Sequence, residues 1–107
     1  MYWEEARARY WKEVAGRETV EAIDYVMGEF TLRYHHRIRF PATLRAGVRV
    51  TRLGDRSFDM EYGLWDDRGR LLSSGASTQV MFDYAAGRSM PMDPGTRARI
   101  STFEGLE

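Results

Sequence analysis

Few side chains in this 107-residue sequence could do chemistry, and each has an ordinary structural role as well. Glu4, Glu5 and Glu13 fall in the segment 2–15. A carboxylate can activate water or attack a carbonyl as a nucleophile. Glu5 is the candidate for that role, as a general base at a subunit interface. Glu4 and Glu5 near a helix start are equally what the helix dipole favours. Glu13 stands one turn from both Arg9 and Arg17, the spacing of a surface ion pair. His35 and His36 are adjacent, so on a strand they point to opposite faces. With no Cys and no third His, they make a poor metal pair, and no metal site is expected. Ser57 follows Leu53-Gly54-Asp55-Arg56 and either donates to a ligand or closes that turn. The absence of Cys also removes disulfides, iron–sulfur clusters and thiol nucleophiles. No Gly-rich phosphate loop and no Gly-x-Ser-x-Gly elbow occurs.

The densest chemical signal is basic. Of the 16 Lys and Arg residues only Lys12 is Lys. Arg33, Arg37, Arg39, Arg45, Arg49, Arg52 and Arg56, with both His, face the single acid Asp55 between positions 33 and 56. Arg clusters hold phosphates through planar, bidentate donors. Such phosphates belong to a nucleotide-like group or to nucleic acid; a third reading is the solvated face of a sheet. Nucleic acid asks for aromatics among the basic residues. Phe30, Tyr34 and Phe40 fall in the opposite phase, which weakens that reading.

These residues need elements to position them. Residues 2–15 have helical period, with Tyr2, Trp3, Ala6, Tyr10 and Val14 on one face and Glu5, Arg9 and Lys12 opposite. Gly16 is placed to end the helix. A face so rich in rings calls for a sheet. Residues 26–40 alternate, with the even positions from Val26 to Phe40 inward, and predict a strand with a bend near His35-His36 and a stop at Pro41. Leu44, Ala46, Val48 and Val50 alternate with Arg45, Arg49 and Thr51. Phe58, Met60, Tyr62 and Leu64 form a third run. Asp66-Asp67-Arg68-Gly69 reads as a hairpin turn. Leu72, Ala76, Val80 and Phe82 continue in a fourth run, whose small residues, Ser73 to Ser77, would admit a helix or ligand closely. A short helix is expected over 95–103. A helix followed by tightly connected strands predicts an antiparallel α+β two-layer domain spanning 1–107.

Composition agrees. Acidic and basic residues balance at 16 each, and 43% of residues are hydrophobic, enough for a core. No run approaches a membrane span, and no signal peptide is visible. A cytoplasmic protein is the expectation.

The helix Tyr2-Trp3-Glu4-Glu5-Ala6-Arg7-Ala8-Arg9-Tyr10-Trp11 resembles the central helix of hotdog-fold acyl-CoA thioesterases of the 4-hydroxybenzoyl-CoA thioesterase-like group. The similarity continues through Tyr34 to Pro41-Ala42-Thr43-Leu44-Arg45-Ala46-Gly47 and Arg52-Leu53-Gly54-Asp55-Arg56-Ser57-Phe58. It extends over Gly69 to Asp83 and Gly87-Arg88-Ser89-Met90-Pro91-Met92. The resemblance implies an antiparallel sheet wrapped around one central helix. It implies an acyl-CoA pocket at a homodimer interface, often paired again into a tetramer, and hydrolysis with no cofactor beyond the coenzyme A of the substrate. The family's catalytic Asp lies in a loop before the helix, preceded by a first strand. The expectation is that this chain begins within the helix and lacks both, so no catalytic residue carries over. Glu5 stays the catalytic candidate and the chain is expected to hydrolyse poorly. Arg52, Arg56, Ser57 and Arg88 are the candidate contacts to substrate, the arginines to its phosphates. The alternatives are a catalytically silent hotdog module that binds acyl-CoA or only dimerises, and, more remotely, a basic-sheet nucleic-acid binder.

Overall fold

Rings on one side of a helix need a broad apolar surface, and the antiparallel sheet supplies it. The computed structural model describes residues 2–16, 24–36 and 43–106. Helix α1 spans Tyr2–Glu13, and strands β1 to β5 span Tyr25–Tyr34, Leu44–Leu53, Ser57–Asp66, Leu71–Asp83 and Arg88–Ser89. Helix α2 spans Pro94–Glu104. The sheet order is β1-β4-β3-β2, all neighbours antiparallel, with short β5 pairing β4. This is the α+β architecture expected. The Tyr2 and Trp3 side chains, positions 37–40 of the expected first strand and its expected stop at Pro41 lie outside the described residues.

The inward face of α1 is rotated from the one expected. It carries Tyr10, Trp11 and Ala15, all buried, with Arg7 and Val14 half-buried. Trp11, 1% exposed, stacks on Phe58 with centroids 5.1 Å apart and planes 7° from parallel, and meets Tyr25 edge-on at 5.1 Å. Its indole N–H donates to Asp24 at 2.7 Å. Gly16, at φ +82°, ends the segment in the left-handed region that glycine tolerates.

Inward positions of β2 and β3 follow the predicted alternation: Val50 and the whole run Phe58, Met60, Tyr62 and Leu64 are buried. The Asp66–Gly69 hairpin also forms. The Asp66 carboxylate accepts from the Arg68 and Arg70 N–H groups at 3.0 and 2.8 Å, and Gly69 takes φ +80°. β1 and β4 differ from expectation. In β1 the register shifts at Gly28, so Tyr25 and Met27 share the inner face with Phe30, Leu32 and Tyr34, while Val26 faces out. In β4 the inner residues are Ser73, Gly75, Ser77, Gln79 and Met81, because they pair with the inner residues of β3. Ala76, Val80 and Phe82 face outward.

Helix α2 closes the sheet edge at β2. Asp93 caps it, accepting from Thr96 N at 3.0 Å and Thr96 Oγ1 at 2.8 Å, and Pro94 opens its first turn. At its far end one Glu104 oxygen accepts from the Tyr10 hydroxyl at 2.7 Å and from Val50 N at 2.8 Å. One carboxylate thus ties α1, α2 and an edge strand. Burial, reinforced by Glu104, pushes the Tyr10 phenol well above its ordinary range. Among the described residues no helix is long and apolar enough to cross a membrane.

Candidate functional site

The small residues of β4 make room for rings. A Cβ at Gly75 would stand 3.6 Å from Tyr62 Cδ2, 3.7 Å from Phe30 Cζ and 2.8 Å from the Thr31 carbonyl oxygen. The space expected for a helix or ligand is therefore filled by Tyr62 and Phe30, whose centroids lie 5.5 Å apart. The Tyr62 hydroxyl is hydrogen-bonded to Ser77 Oγ. Gln79 Nε2 donates to the Tyr62 hydroxyl at 3.1 Å and to Ser77 Oγ at 2.6 Å. These polar groups are buried and bond one another, but among the described residues the Gln79 Oε1 has no hydrogen-bond partner.

Beyond the rings, the inner face opens. Phe30 is 38% exposed, Leu32 37% and Tyr34 73%, so the upper half of β1 presents an apolar wall. Arg7 reaches over the inner end of this wall from α1. Its guanidinium carbon lies 5.5 Å from the Tyr62 ring centroid and 5.9 Å from that of Phe30. It also lies near the buried Tyr25 side chain, whose pKa is raised by burial and partly drawn back by the Arg7 charge. Sequence reading missed Arg7. The signal available was its position four residues before Trp11, which puts both on one helical stripe.

The predicted site residues fall at two ends of the molecule. Glu5 is exposed on the first half of α1 and, among the described residues, makes no hydrogen bond or ion pair. Six residues on, Trp11 stacks on Phe58 beside Ser57, about 9 Å further along the helix axis. Ser57 Oγ lies close to Gly54, 2.9 Å from where a Cβ there would stand, and the Gly54 N–H donates to the Ser57 carbonyl at 2.7 Å, closing the β2–β3 turn. Arg56 at this end donates to the Ser89 carbonyl at 3.1 Å and approaches Asp55 at 3.7 Å. That brings the Arg56 turn beside the strand that carries Arg88, which is exposed. The structure therefore groups Arg56, Ser57 and Arg88 and separates them from Glu5.

Arg52 lies on the outer face, bonded to Asp59 at 2.7 Å. Hydrogen bonding from Arg52 holds the Asp59 carboxyl below its ordinary range, with Thr78 adding to the effect against a desolvation that opposes it. Arg49 pairs in the same way with Glu61 at 2.6 Å. The acids that answer the basic stretch thus come from the neighbouring strand β3. His35, exposed, meets Ser74 Oγ at 2.7 Å. Among the described residues no three His, Asp or Glu side chains gather as metal ligands. The outer face also carries a shallow depression of about 810 Å³, with Gly47, Gly63 and Trp65 among its lining. It lies across the sheet from α1, so it shares no surface with Glu5 or Arg7.

Residues 2–73 match a family model described as the thioesterase superfamily. Among solved structures, a thioesterase from Thermus thermophilus, complexed with coenzyme A and Zn, has a TM-score of 0.85 at 28% identity, over 97% of this chain and 75% of that one. A thioesterase-superfamily protein from Jannaschia sp. CCS1 has a TM-score of 0.85 at 19% identity, over 98% of this chain and 68% of that one. A DHNA-CoA thioesterase from Staphylococcus aureus has a TM-score of 0.80 at 16% identity, over 98% and 74%. The last two show likeness of fold alone. No curated protein matches the chain.

Proposed function

The chain belongs to the thioesterase superfamily and has its hotdog fold, and from that premise we propose that it binds a coenzyme A thioester and hydrolyses it beside the first turns of α1. The observation that carries this reading is the seating of α1. Trp11 anchors its second half on Phe58, and from its first half Arg7 reaches across Tyr62 to Phe30, where the exposed Leu32 and Tyr34 continue an apolar wall along β1. Free N–H groups at a helix start favour a developing oxyanion. Glu5 then takes a proton from water as the water oxygen adds to the thioester carbonyl. The C–S bond breaks, the thiolate takes up the proton, and a carboxylic acid and free coenzyme A leave. Water is the only co-substrate in this scheme.

Arg56 and Arg88, with Ser57, are the proposed contacts for the phosphate-bearing part of coenzyme A. Arg52 joins them only by loosening its hold on Asp59. Their distance from Glu5 along one chain supports a homodimer. Strand β1 is an edge among the described residues. Two copies joined antiparallel along β1 would bring the Arg56 end of one beside the Glu5 end of the other. The proposed location is the cytoplasm, which a cysteine-free chain suits.

Thiol release from a panel of acyl-CoAs tests the reading. Turnover should fall about 10²-fold or more in Glu5→Gln, with the folded state unchanged. Failure of every coenzyme A thioester to bind would sink the proposal. A stable monomer by light scattering at micromolar concentration would remove the composite site. A second reading, binding without hydrolysis, is favoured by one observation: no described side chain orients Glu5. Tight binding without thiol release would establish it.

A further inference from the structure

Among the described residues only two arginines are not exposed, Arg7 and Arg97. Arg97 spends its guanidinium on the Gly54 carbonyl. Arg7 has two ring faces, of Tyr62 and Phe30, and the Tyr25 hydroxyl. None of these neutralises it. No carboxylate stands within ion-pair distance of Arg7 among the described residues, whereas Arg49, Arg52, Arg56 and Arg70 each have one. A guanidinium has five N–H donors, and a ring beneath it leaves its edge free to accept a carboxylate. A half-buried charge without a counter-ion is costly unless something completes it.

Its surroundings say what. Arg7 reaches from the helix across Tyr62 to Phe30, at the inner end of the apolar wall that Leu32 continues, so a ligand that comes to it along that wall must be apolar along its length and anionic at its tip. We propose that Arg7 recognises a carboxylate at the far end of the acyl group, so that the preferred substrates are monothioesters of short dicarboxylic acids. This rests on the coenzyme A thioester reading above. The helix rises about 7.5 Å between its first residue and Arg7. With the thioester carbonyl at the first turn, that length corresponds to an acyl chain of about five carbons. Gly75 contributes by letting β1 lie close against β4 beside the Phe30 and Tyr62 rings, since a Cβ there would stand 2.8 Å from the Thr31 carbonyl oxygen.

Calorimetric titration of the full chain with three probes tests this: free coenzyme A and the non-hydrolysable thioether analogues of glutaryl-CoA and pentanoyl-CoA. The glutaryl analogue should bind about tenfold or more tighter than the pentanoyl one, as a charge-assisted pair implies. Arg7→Met should erase that preference while leaving coenzyme A and the pentanoyl analogue within about twofold. Arg7→Lys should keep part of it, and equal thermal stability of the variants would show that folding is intact. Equal affinity of the wild type for the two analogues overturns the inference but not the thioesterase reading. So does an equal loss for all three probes in Arg7→Met, which would place a coenzyme A phosphate at Arg7. Loss of the dimer in both Arg7 variants also overturns it, since Arg7 would then be answering a carboxylate of a second copy. Failure of all three probes to bind the wild type sinks both readings together.

Discussion

Replacing Gly63 by alanine should destabilise the protein through one neighbour, Trp65. The two residues face outward on β3, two positions apart. A Cβ at Gly63 would stand 2.3 Å from Trp65 Cη2, 2.7 Å from Cζ3 and 2.8 Å from Cζ2. Carbon atoms in good contact sit about 3.5–4.0 Å apart, so the indole must retreat by about an ångström or more. Gly47 on β2 lies under the same ring, where an added Cβ would stand 3.1 Å from Cζ3, so the indole lies flat over two glycines. Forced overpacking costs about 1–3 kcal/mol. Alanine returns about 0.5–1 kcal/mol of backbone entropy relative to glycine. The net loss should be about 0.5–2 kcal/mol, a fall in Tm of several degrees for a domain this size. In a Trp65→Ala background only the entropic gain survives, and Gly63→Ala should be neutral or stabilising. The double-mutant cycle should therefore show a coupling of about 1–3 kcal/mol. Urea unfolding followed by far-ultraviolet circular dichroism reads it without relying on Trp65 fluorescence. The reasoning fails if Gly63→Ala is as stable as its parent, or if its cost is the same with and without Trp65.

Further outcomes can be checked alongside. Tyr10→Phe removes a hydrogen bond to a charged acceptor, and urea unfolding should show a loss of about 1.5–3 kcal/mol. The folded pKa of Tyr10 lies above its unfolded value, so its contribution is complete below about pH 10 and falls as pH rises beyond that; Tyr10→Phe should lose less stability than the wild type in alkali. Asp59 has the opposite sign: its folded pKa is depressed, so its contribution is present above about pH 4 and is lost as pH falls through the folded value. Asp59→Asn should cost about 0.5 kcal/mol at neutral pH, and the gap from wild type should close in strong acid. Arg56→Ala with Arg88→Ala should weaken coenzyme A binding and flatten its salt dependence, while stability stays within about 0.5 kcal/mol. Unchanged affinity in that double variant would remove these residues from the phosphate site.

Much of the fold was legible because local chemistry and global packing agreed. β3 alternates Phe58, Met60, Tyr62 and Leu64 against polar neighbours, and its buried face is that set. The Asp66 turn announced itself because Asp and Gly there do what such turns require. β4 was misread for a physical reason. Beside Leu72 and Met81 it buries Ser73, Ser77 and Gln79, polar residues that a hydrophobic pattern assigns to solvent. What makes them interior is the Tyr62 hydroxyl, which arrives from another strand. α1 was misread by its length: over three turns several apolar stripes compete, and only Phe58 and Tyr25 decide that Trp11 wins. The basic stretch could not be interpreted alone, since Asp59 and Glu61 meet Arg52 and Arg49 only once the β2–β3 register is known. Arg7 was invisible for the same reason, being one arginine among many until its neighbours are seen.

The register shift at Gly28 has a consequence for how the chain can change in length. Met27 opposes Gln79 and Glu29 opposes Thr78, so Gly28 is an extra residue with no counterpart on β4. Strand β1 therefore holds one residue of slack. Deleting Gly28 would leave Tyr25, Met27, Phe30, Leu32 and Tyr34 all on the inner face, because the alternation closes up cleanly. Deleting Thr31 instead could be absorbed by straightening the bulge, exchanging the faces of Glu29 and Phe30 but keeping Leu32 and Tyr34 in place. The run from Ser57 to Leu64 in β3 opposes β4 residue for residue and has no such reserve. A one-residue deletion at Asp59 would invert every side chain on one side of the cut. Length variation in this chain should accordingly be tolerated in β1, with its exposed apolar wall, and forbidden in the strand that anchors α1.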